Sequence, residues 1–283
     1  MLELGILLGL GAALCWGLSD LFAKVAVTRE KNFLPAHITG FCGIIILMVY
    51  NFLFPPANFP PLTIVYGLLP VGFLMSLGWW LFYHSLQKGL VSIQSAIGAS
   101  YGLPAFLLGI PLLNEYPSIL QMAGALLAMV STFFLSLASL NIKKMKFDSN
   151  AMLALIASLC WGIALVLLAP FAKAYPPQIA VFSHVLFSFI FVTIFVLISG
   201  KQLFPKNRKN FIPAILASVD SIGLIFYYSA AAFFYTTLLA PVSSIYPIFT
   251  LAFAGYFLRE KLKNYQFVSI IAILIGIIMI SYP

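Results

Sequence analysis

The second half of this sequence repeats landmarks of the first half at a constant offset. Five landmarks recur 145 residues further along the chain: Gly78 as Gly223, Tyr83 as Tyr228, Tyr101 as Tyr246, Glu115 as Glu260, and Cys15-Trp16-Gly17 as Cys160-Trp161-Gly162. Architectures built from short repeats have periods of about 20–50 residues, so an offset this long indicates a duplication of half the chain. The sequence therefore predicts two homologous halves, at residues 1–141 and 150–283.

The composition indicates that hydrocarbon surrounds most of both halves. Of the 283 residues, 63% are hydrophobic and 8% are charged, against about 25% charged residues in a soluble domain. The net charge of +8 comes from basic residues in short connecting segments, which favours membrane topology over nucleic-acid binding. Cys15, Cys42 and Cys160 lie inside apolar runs, so we expect buried apolar side chains there, with no disulfide and no metal site.

Ten apolar runs have about the 20 residues that a helix needs to cross a bilayer. The predicted spans are residues 4–27, 34–54, 63–86, 91–113, 118–139, 151–173, 178–199, 211–234, 237–258 and 264–282. The turn between spans eight and nine, at Tyr235-Thr236, is barely polar, and a single long hairpin is the alternative there. The predicted fold is an all-α integral membrane protein with ten transmembrane helices.

The odd number of spans in each half has a consequence for topology. With five spans per half, the second half enters the membrane from the opposite side, which gives two inverted five-helix repeats. Many secondary transporters have this arrangement, with the substrate site near the bilayer midplane where the repeats meet.

Basic residues are distributed unevenly between the predicted loops. Thirteen lysines and arginines follow odd-numbered spans, and Lys173 alone follows an even-numbered one. By the positive-inside rule, the odd loops are cytoplasmic and both chain termini are outside. We predict a multi-pass protein of the bacterial plasma (inner) membrane in this orientation.

Several segments resemble the EamA-type proteins of the drug/metabolite transporter superfamily. Ala13-Leu14-Cys15-Trp16-Gly17 and Ser158-Leu159-Cys160-Trp161-Gly162 resemble its first-span signature. Residues 243–248, 258–262 and Gly276 resemble its ninth and tenth spans, and residues 113–116 with 121–124 are a weaker first-half copy. The resemblance covers the whole chain and implies a ten-span transporter. It leaves the substrate open, because the superfamily carries amino acids, sugars, nucleotide conjugates, cations and drugs. Many members are described with both ends in the cytoplasm, opposite to the charge pattern here.

Asp220 is the foremost candidate for function. It lies about ten residues into the eighth predicted span, where a charged group costs at least ~2.5–3.5 kcal/mol and needs a protein partner or a wet cavity. Ser221 follows it, and Tyr228 lies further along the same helix. We predict that Asp220 binds a cationic group or carries a proton; the alternative is a structural acid bonded to a neighbouring helix.

Asp20 and His184 are the other candidates among the ionisable residues inside predicted spans. Asp20 either pairs with Lys24, one helical turn later, or is left available if Lys24 extends to the interface. His184 either relays protons or packs as a hydrogen-bonded core residue. His37 and His84 lie at span ends, and the spacing of the three histidines does not match a metal site.

Aromatic residues inside the spans are candidates for the walls of a cavity. The predicted site includes Trp16, Trp79, Trp80, Tyr83, Tyr101, Tyr228 and Tyr246. With Asp220 these rings could hold an organic cation or stack on an aromatic metabolite, while core packing is the alternative for any one ring. Prolines lie near Tyr101 and Tyr246, so spans four and nine are predicted to bend. Glu115 and Glu260 end those spans and are predicted to be caps or ion-pair partners.

These features predict a secondary transporter that moves a small polar or amphipathic metabolite, such as an amino acid or organic cation, by alternating access. No Gly-rich loop followed by Lys-Ser/Thr is present in the sequence, so protons or substrate exchange are the candidate drive. The predicted partners are the metabolite and the lipid bilayer, with no cofactor, metal or nucleic acid. Monomer and homodimer both remain open. The alternative is a membrane-embedded enzyme acting on a lipid or small metabolite.

Overall fold

The computed structural model describes residues 1–30, 34–88, 91–137, 149–200, 203, 211–258 and 264–282. Within these ranges the chain is helical and contains no strand. The helices are α1 (Leu2–Glu30), α2 (Leu34–Leu53), α3 (Leu62–Tyr66), α4 (Leu69–Lys88), α5 (Val91–Ala99), α6 (Gly102–Leu113), α7 (Ile119–Leu137), α8 (Ser149–Ala174), α9 (Pro177–Ile198), α10 (Phe211–Ala217), α11 (Val219–Ala231), α12 (Thr236–Ser243), α13 (Pro247–Leu258) and α14 (Asn264–Ile280). We call α1–α7 the first half and α8–α14 the second half.

Eight described helical segments are long and apolar enough to cross a membrane: Leu2–Glu30, Leu34–Leu53, Leu62–Lys88, Ile93–Leu113, Ser149–Ala174, Pro177–Ile198, Phe211–Ala231 and Thr236–Phe253. Shorter apolar helices occupy the positions of the fifth and tenth predicted spans, at Ile119–Leu135 and Phe267–Ile280. The chain is therefore an all-helical, multi-pass membrane protein. The barely polar turn at Tyr235 does separate two helices, because α11 ends at Ala231 and α12 begins at Thr236.

Two spanning segments are interrupted at equivalent tyrosines. α5 gives way to α6 at Tyr101, and α12 gives way to α13 at Tyr246. Tight turns bridge both interruptions: the Tyr101 N–H donates to the Gly98 carbonyl (3.2 Å), and the Tyr246 N–H donates to the Ser243 carbonyl (3.3 Å). Pro247 opens α13, where a missing N–H costs least. The predicted bending segments are therefore interrupted helices.

The two halves pack on each other reciprocally. Helix α1 packs against α11, and α4 packs against α8, which is the same contact with the halves exchanged. Two equivalent glycines allow these contacts to be close. A Cβ on Gly78 would lie 2.4 Å from Nε1 of Trp161, and a Cβ on Gly223 would lie 2.8 Å from Nε1 of Trp16. Small residues are the usual means by which membrane helices approach closely.

The last helix of each half pairs with its counterpart. Helices α7 and α14 cross at Gly124 and Gly276, where a Cβ on either residue would lie 2.6–2.7 Å from the carbonyl oxygen of the other. Gln121 Nε2 donates to the Ile280 carbonyl at 3.3 Å. In an apolar solvent, such close backbone packing replaces the hydrophobic drive that holds soluble helices together.

Glu115 ties the first half to the second at one end of the molecule. Its carboxylate accepts hydrogen bonds from the backbone N–H groups of Thr236 (3.1 Å) and Thr237 (2.8 Å) at the start of α12. It also forms an ion pair with Lys173 of α8. The prediction for Glu115 is confirmed, since it is both a cap and an ion-pair partner. Glu260 and most basic loop residues lie outside the described ranges.

Candidate functional site

A cavity of about 500 Å³, including space open to solvent, lies between the two halves. Its lining falls into pairs related by the 145-residue offset. Trp16 faces it with Trp161, and Tyr101 faces it with Tyr246. We call this space the first cavity. Each half thus contributes one tryptophan and one tyrosine of these pairs.

The acidic residues of the first cavity break that pairing. Asp20 and Asp220 both line it, yet their counterparts at the offset of 145 are Leu165 and Met75, which line it too. Asp20 belongs to α1 and Asp220 to α11, and these two helices pack against each other. Both carboxyl groups therefore lie on the α1–α11 side, and their apolar counterparts lie on the α4–α8 side.

Asp20 is held by a partner from another helix. Ser95 Oγ of α5 donates to Asp20 Oδ2 at 2.5 Å. Lys24, the other candidate partner, instead donates to the Leu86 carbonyl at 2.6 Å. Within the described ranges, Asp20 and Lys24 form no ion pair. Neither alternative for Asp20 describes these contacts in full, because Lys24 is not its partner and Ser95 uses part of its hydrogen-bonding capacity.

Asp220 differs, because its carboxyl group has no hydrogen-bond or ion-pair partner among the residues that the structure describes. Its side chain is nevertheless only 8% exposed. A carboxyl group in such surroundings is costly unless it is paired or neutralised. Asp220 is therefore a buried polar group of the lining that the described residues leave without a partner.

A second cavity of about 450 Å³, including space open to solvent, adjoins the first. Trp79, His184, Asp220 and Leu224 line both cavities. The second cavity adds Thr39, Tyr83, Ser188 and Ser221, together with aliphatic residues of α2 and α9. Asp220 therefore stands in the wall between a largely aromatic space and a hydroxyl-rich one.

Two tyrosines form hydrogen bonds with polar side chains that line the cavities. Tyr228 OH and His184 Nδ1 are 2.7 Å apart. Tyr83 OH and Thr39 Oγ1 are 3.3 Å apart. The two bonds occupy equivalent positions in the two halves, since Tyr83 corresponds to Tyr228 and Thr39 corresponds to His184 at the offset of 145. His184 thus has a hydrogen-bond partner and also reaches both cavities.

The aromatic rings of the lining contact each other in two groups. The Trp79 and Trp161 ring centroids are 5.2 Å apart, and the Trp16 and Tyr101 centroids are 6.0 Å apart. Tyr101 and Tyr246 are stacked at 6.5 Å. The indole N–H groups of Trp16 and Trp161 are buried and have no hydrogen-bond partner in the described part of the chain. These N–H groups are two further polar atoms beside the cavity.

The structure brings together nine of the eleven predicted site residues along the two cavities: Trp16, Asp20, Trp79, Tyr83, Tyr101, His184, Asp220, Ser221 and Tyr246. Tyr228 lies behind His184. Trp80 lies outside both cavities, where its ring packs on His84 (4.7 Å) and Phe195 (5.9 Å).

Four residues that line the first cavity were not among the predicted site residues: Met75, Trp161, Leu165 and Leu224. Trp161 follows from Trp16 by the offset and could have been predicted. The three aliphatic residues resemble every other apolar residue of a span. No described group of three or more His, Cys, Asp or Glu side chains could hold a metal ion.

Comparisons with known proteins agree with this architecture. The model of the EamA-like transporter family matches residues 3–137 and again residues 149–282. The chain is 22% identical to an uncharacterized transporter of Archaeoglobus fulgidus, over 100% of this chain and 99% of that protein. It is 28% identical over 137 residues to an uncharacterized protein of Methanocaldococcus jannaschii, covering 47% of this chain and 97% of that protein. One solved crystal structure has a TM-score of 0.77 over 98% of both chains at 16% identity, and therefore shares the fold.

Proposed function

The chain belongs to the EamA-like transporter family, and on that premise we propose that it is a secondary active transporter for a small polar or amphipathic metabolite. The observation that carries the proposal is Asp220, a buried carboxyl group without a partner among the described residues, in the wall between two cavities. Ionisable residues inside membrane spans mark the pathways of substrates and coupling ions in transporters.

The proposed mechanism is alternating access by two inverted five-helix repeats. In ten-span form, the second half would cross the bilayer in the opposite direction to the first, with both termini outside and the basic loops in the cytoplasm. The reciprocal packing of α1 on α11 and of α4 on α8 supports equivalent roles for the halves. Rocking of one half against the other would expose the first cavity to each side in turn.

The interrupted helices are the proposed hinges. A helix that lacks regular hydrogen bonds at Tyr101 and Tyr246 can change direction there at low cost, because only the local turn has to adjust. The link from Glu115 to Lys173 and α12 joins the halves at one end. We expect the opening of that end to require breaking this link.

The test is transport by purified protein in liposomes. Liposomes loaded with a metabolite extract should exchange intact labelled substrate across the membrane, and a proton gradient should change the rate if protons are the coupling ion. Chemical conversion of a lipid or metabolite without flux would support the membrane-embedded enzyme.

A reporter protein fused to the C-terminus tests the topology. A reporter that is active only in the cytoplasm should give no signal if the C-terminus lies outside.

A further inference from the structure

We infer that the first cavity binds an amphipathic organic cation in one orientation, with its amine at the α1–α11 wall and its flat apolar body at the α4–α8 wall. The inference rests on the proposed function, because it names the substrate class of the same cavity. The two walls occupy equivalent positions in the two halves. They differ in chemistry, since the carboxyl groups lie on one wall alone.

Each wall contributes four residues to the first cavity. The α1–α11 wall has Trp16, Asp20, Asp220 and Leu224, and the α4–α8 wall has Trp161, Leu165, Met75 and Trp79. In that order, every residue of one wall is 145 positions from the corresponding residue of the other. The walls therefore occupy equivalent places in the two halves. One of them carries two carboxyl groups, and the other carries two indoles and two aliphatic side chains.

The charge of the cavity favours a cation. Its described lining includes two aspartates and neither lysine nor arginine. Lys24 and Lys173 are directed elsewhere, to the Leu86 carbonyl and to Glu115. An anionic ligand would lose its hydration and meet no lysine or arginine in return, only His184 and the indole N–H groups of Trp16 and Trp161. A cation would give Asp220 the partner that the described residues do not supply.

The two acids have different tasks in this arrangement. Asp20 already accepts the Ser95 hydroxyl, so part of its hydrogen-bonding capacity is used. Asp220 has its full capacity available to the cavity. The amine is therefore assigned to Asp220 as its direct partner, with Asp20 as the second negative group on the same wall. Hydrogen bonds between charged groups are the strong ones, and they fix orientation as well as affinity.

The α4–α8 wall is suited to a flat apolar body. The Trp79 and Trp161 rings are 5.2 Å apart with an interplanar angle of 60°, and Met75 and Leu165 lie beside them. Indole rings and a thioether pack well on aromatic or planar ligands. A ligand with one charged end and one ring satisfies both walls at once.

A series of compounds with one ring and different charges tests the inference. Tryptamine is a cation, tryptophan a zwitterion, and indole-3-propionate an anion. Binding to the purified full chain is measured by calorimetry and by the rise in melting temperature, since a ligand of the folded state stabilises it. We expect tryptamine to bind most tightly, tryptophan more weakly, and indole-3-propionate not at all.

Variants test the two walls separately. Asp220→Asn should weaken tryptamine binding by roughly 10- to 100-fold. The exchange Met75→Asp with Asp220→Met moves the acid to the equivalent place on the other wall, so it should weaken tryptamine binding while the net charge of the lining stays the same. Trp161→Leu should weaken tryptamine more than ethylamine, which has no ring. Trp80→Leu is the control, since Trp80 lies outside both cavities.

The outcomes separate this inference from the proposed function. Binding of indole-3-propionate as tight as that of tryptamine, tryptamine binding unchanged by Asp220→Asn, or no binding by any member of the series would overturn the inference. If liposomes exchange tryptophan while tryptamine does not bind, the inference fails and the transporter stands. If tryptamine binds through Asp220 and is never exchanged, the site is correct and the transport function fails.

Discussion

The two halves of this protein agree in packing and differ in chemistry. Gly17 and Gly162 illustrate the agreement: a Cβ on either residue would lie 2.7 Å from a carbonyl oxygen, that of Tyr246 for Gly17 and that of Tyr101 for Gly162. Steric positions have thus been retained in both copies. The acidic residues of the first cavity have not been retained in both copies, since Asp20 corresponds to Leu165 and Asp220 corresponds to Met75.

This difference has a physical explanation. A close helix contact constrains both copies equally, because either clash would separate the halves. A charged group in the membrane is costly, so an acid that occurs in one copy alone is a candidate for binding or transport. Duplicated residues should therefore affect stability, and single-copy polar residues should affect function. The following predictions test this division.

The largest effect is expected for the single-copy acid Asp220. Asp220→Asn should abolish transport, because the variant keeps the shape of the side chain but loses the carboxyl group of the α1–α11 wall that has no partner among the described residues. Exchange of labelled substrate in liposomes measures the loss. Glu3→Gln is the matched control, since Glu3 is an exposed carboxylate at the start of α1 and should leave transport unchanged. Full uptake by a well-folded Asp220→Asn protein would remove Asp220 from the mechanism.

The link between the halves at Glu115 should have the largest effect on stability. Glu115→Ala leaves two N–H groups at the start of α12 without their acceptor and should cost about 2–4 kcal/mol. Lys173→Met should cost about 0–1 kcal/mol, because the Lys173 side chain is 35% exposed and surface ion pairs contribute little. Melting in detergent compares the two variants. Equal losses would mean that the ion pair, and not the helix cap, holds this end together.

The next largest loss of stability is expected for substitutions at the paired glycines Gly78 and Gly223. Gly78→Ala and Gly223→Ala place a methyl group 2.4 Å and 2.8 Å from a tryptophan ring, and overpacking of this kind costs about 1–3 kcal/mol. Gly78→Ala should be the more damaging because its contact is shorter. At Gly40 a Cβ would lie 3.3 Å from Phe189, so Gly40→Ala is the milder control. A melting temperature unchanged by Gly78→Ala would contradict the packing described for α4 and α8.

The smallest effects concern the two equivalent tyrosines. Tyr228→Phe removes the hydroxyl that is hydrogen-bonded to His184 Nδ1 and should cost about 1 kcal/mol. Tyr83→Phe should cost less than about 0.5 kcal/mol, because Thr39 keeps its bond to the Ala214 carbonyl at 3.0 Å. Calorimetric melting curves of both variants provide the comparison. A larger loss for Tyr83→Phe would show that the longer bond is the stronger one.

Much of the site could be predicted because ionisable and aromatic residues are rare events in an apolar span. Asp220 stands out for that reason, and Trp16 leads to Trp161 through the offset. The sequence could not distinguish Trp79 from Trp80. Adjacent residues of a helix point about 100° apart, and only the packing of α4 against α8 and α9 turns Trp79 to the cavity and Trp80 towards Phe195.

The sequence by itself determined that this chain is a duplicated, all-helical membrane protein of the transporter class. Apolar run length and a constant offset are local or periodic properties, and they can be read without knowing any contact. Only the tertiary structure decided that Asp20 bonds to Ser95 instead of Lys24, and that Asp20 and Asp220 share one wall. Those outcomes depend on α1 meeting α5 and α11, and contacts between helices far apart in the chain leave no pattern within either one.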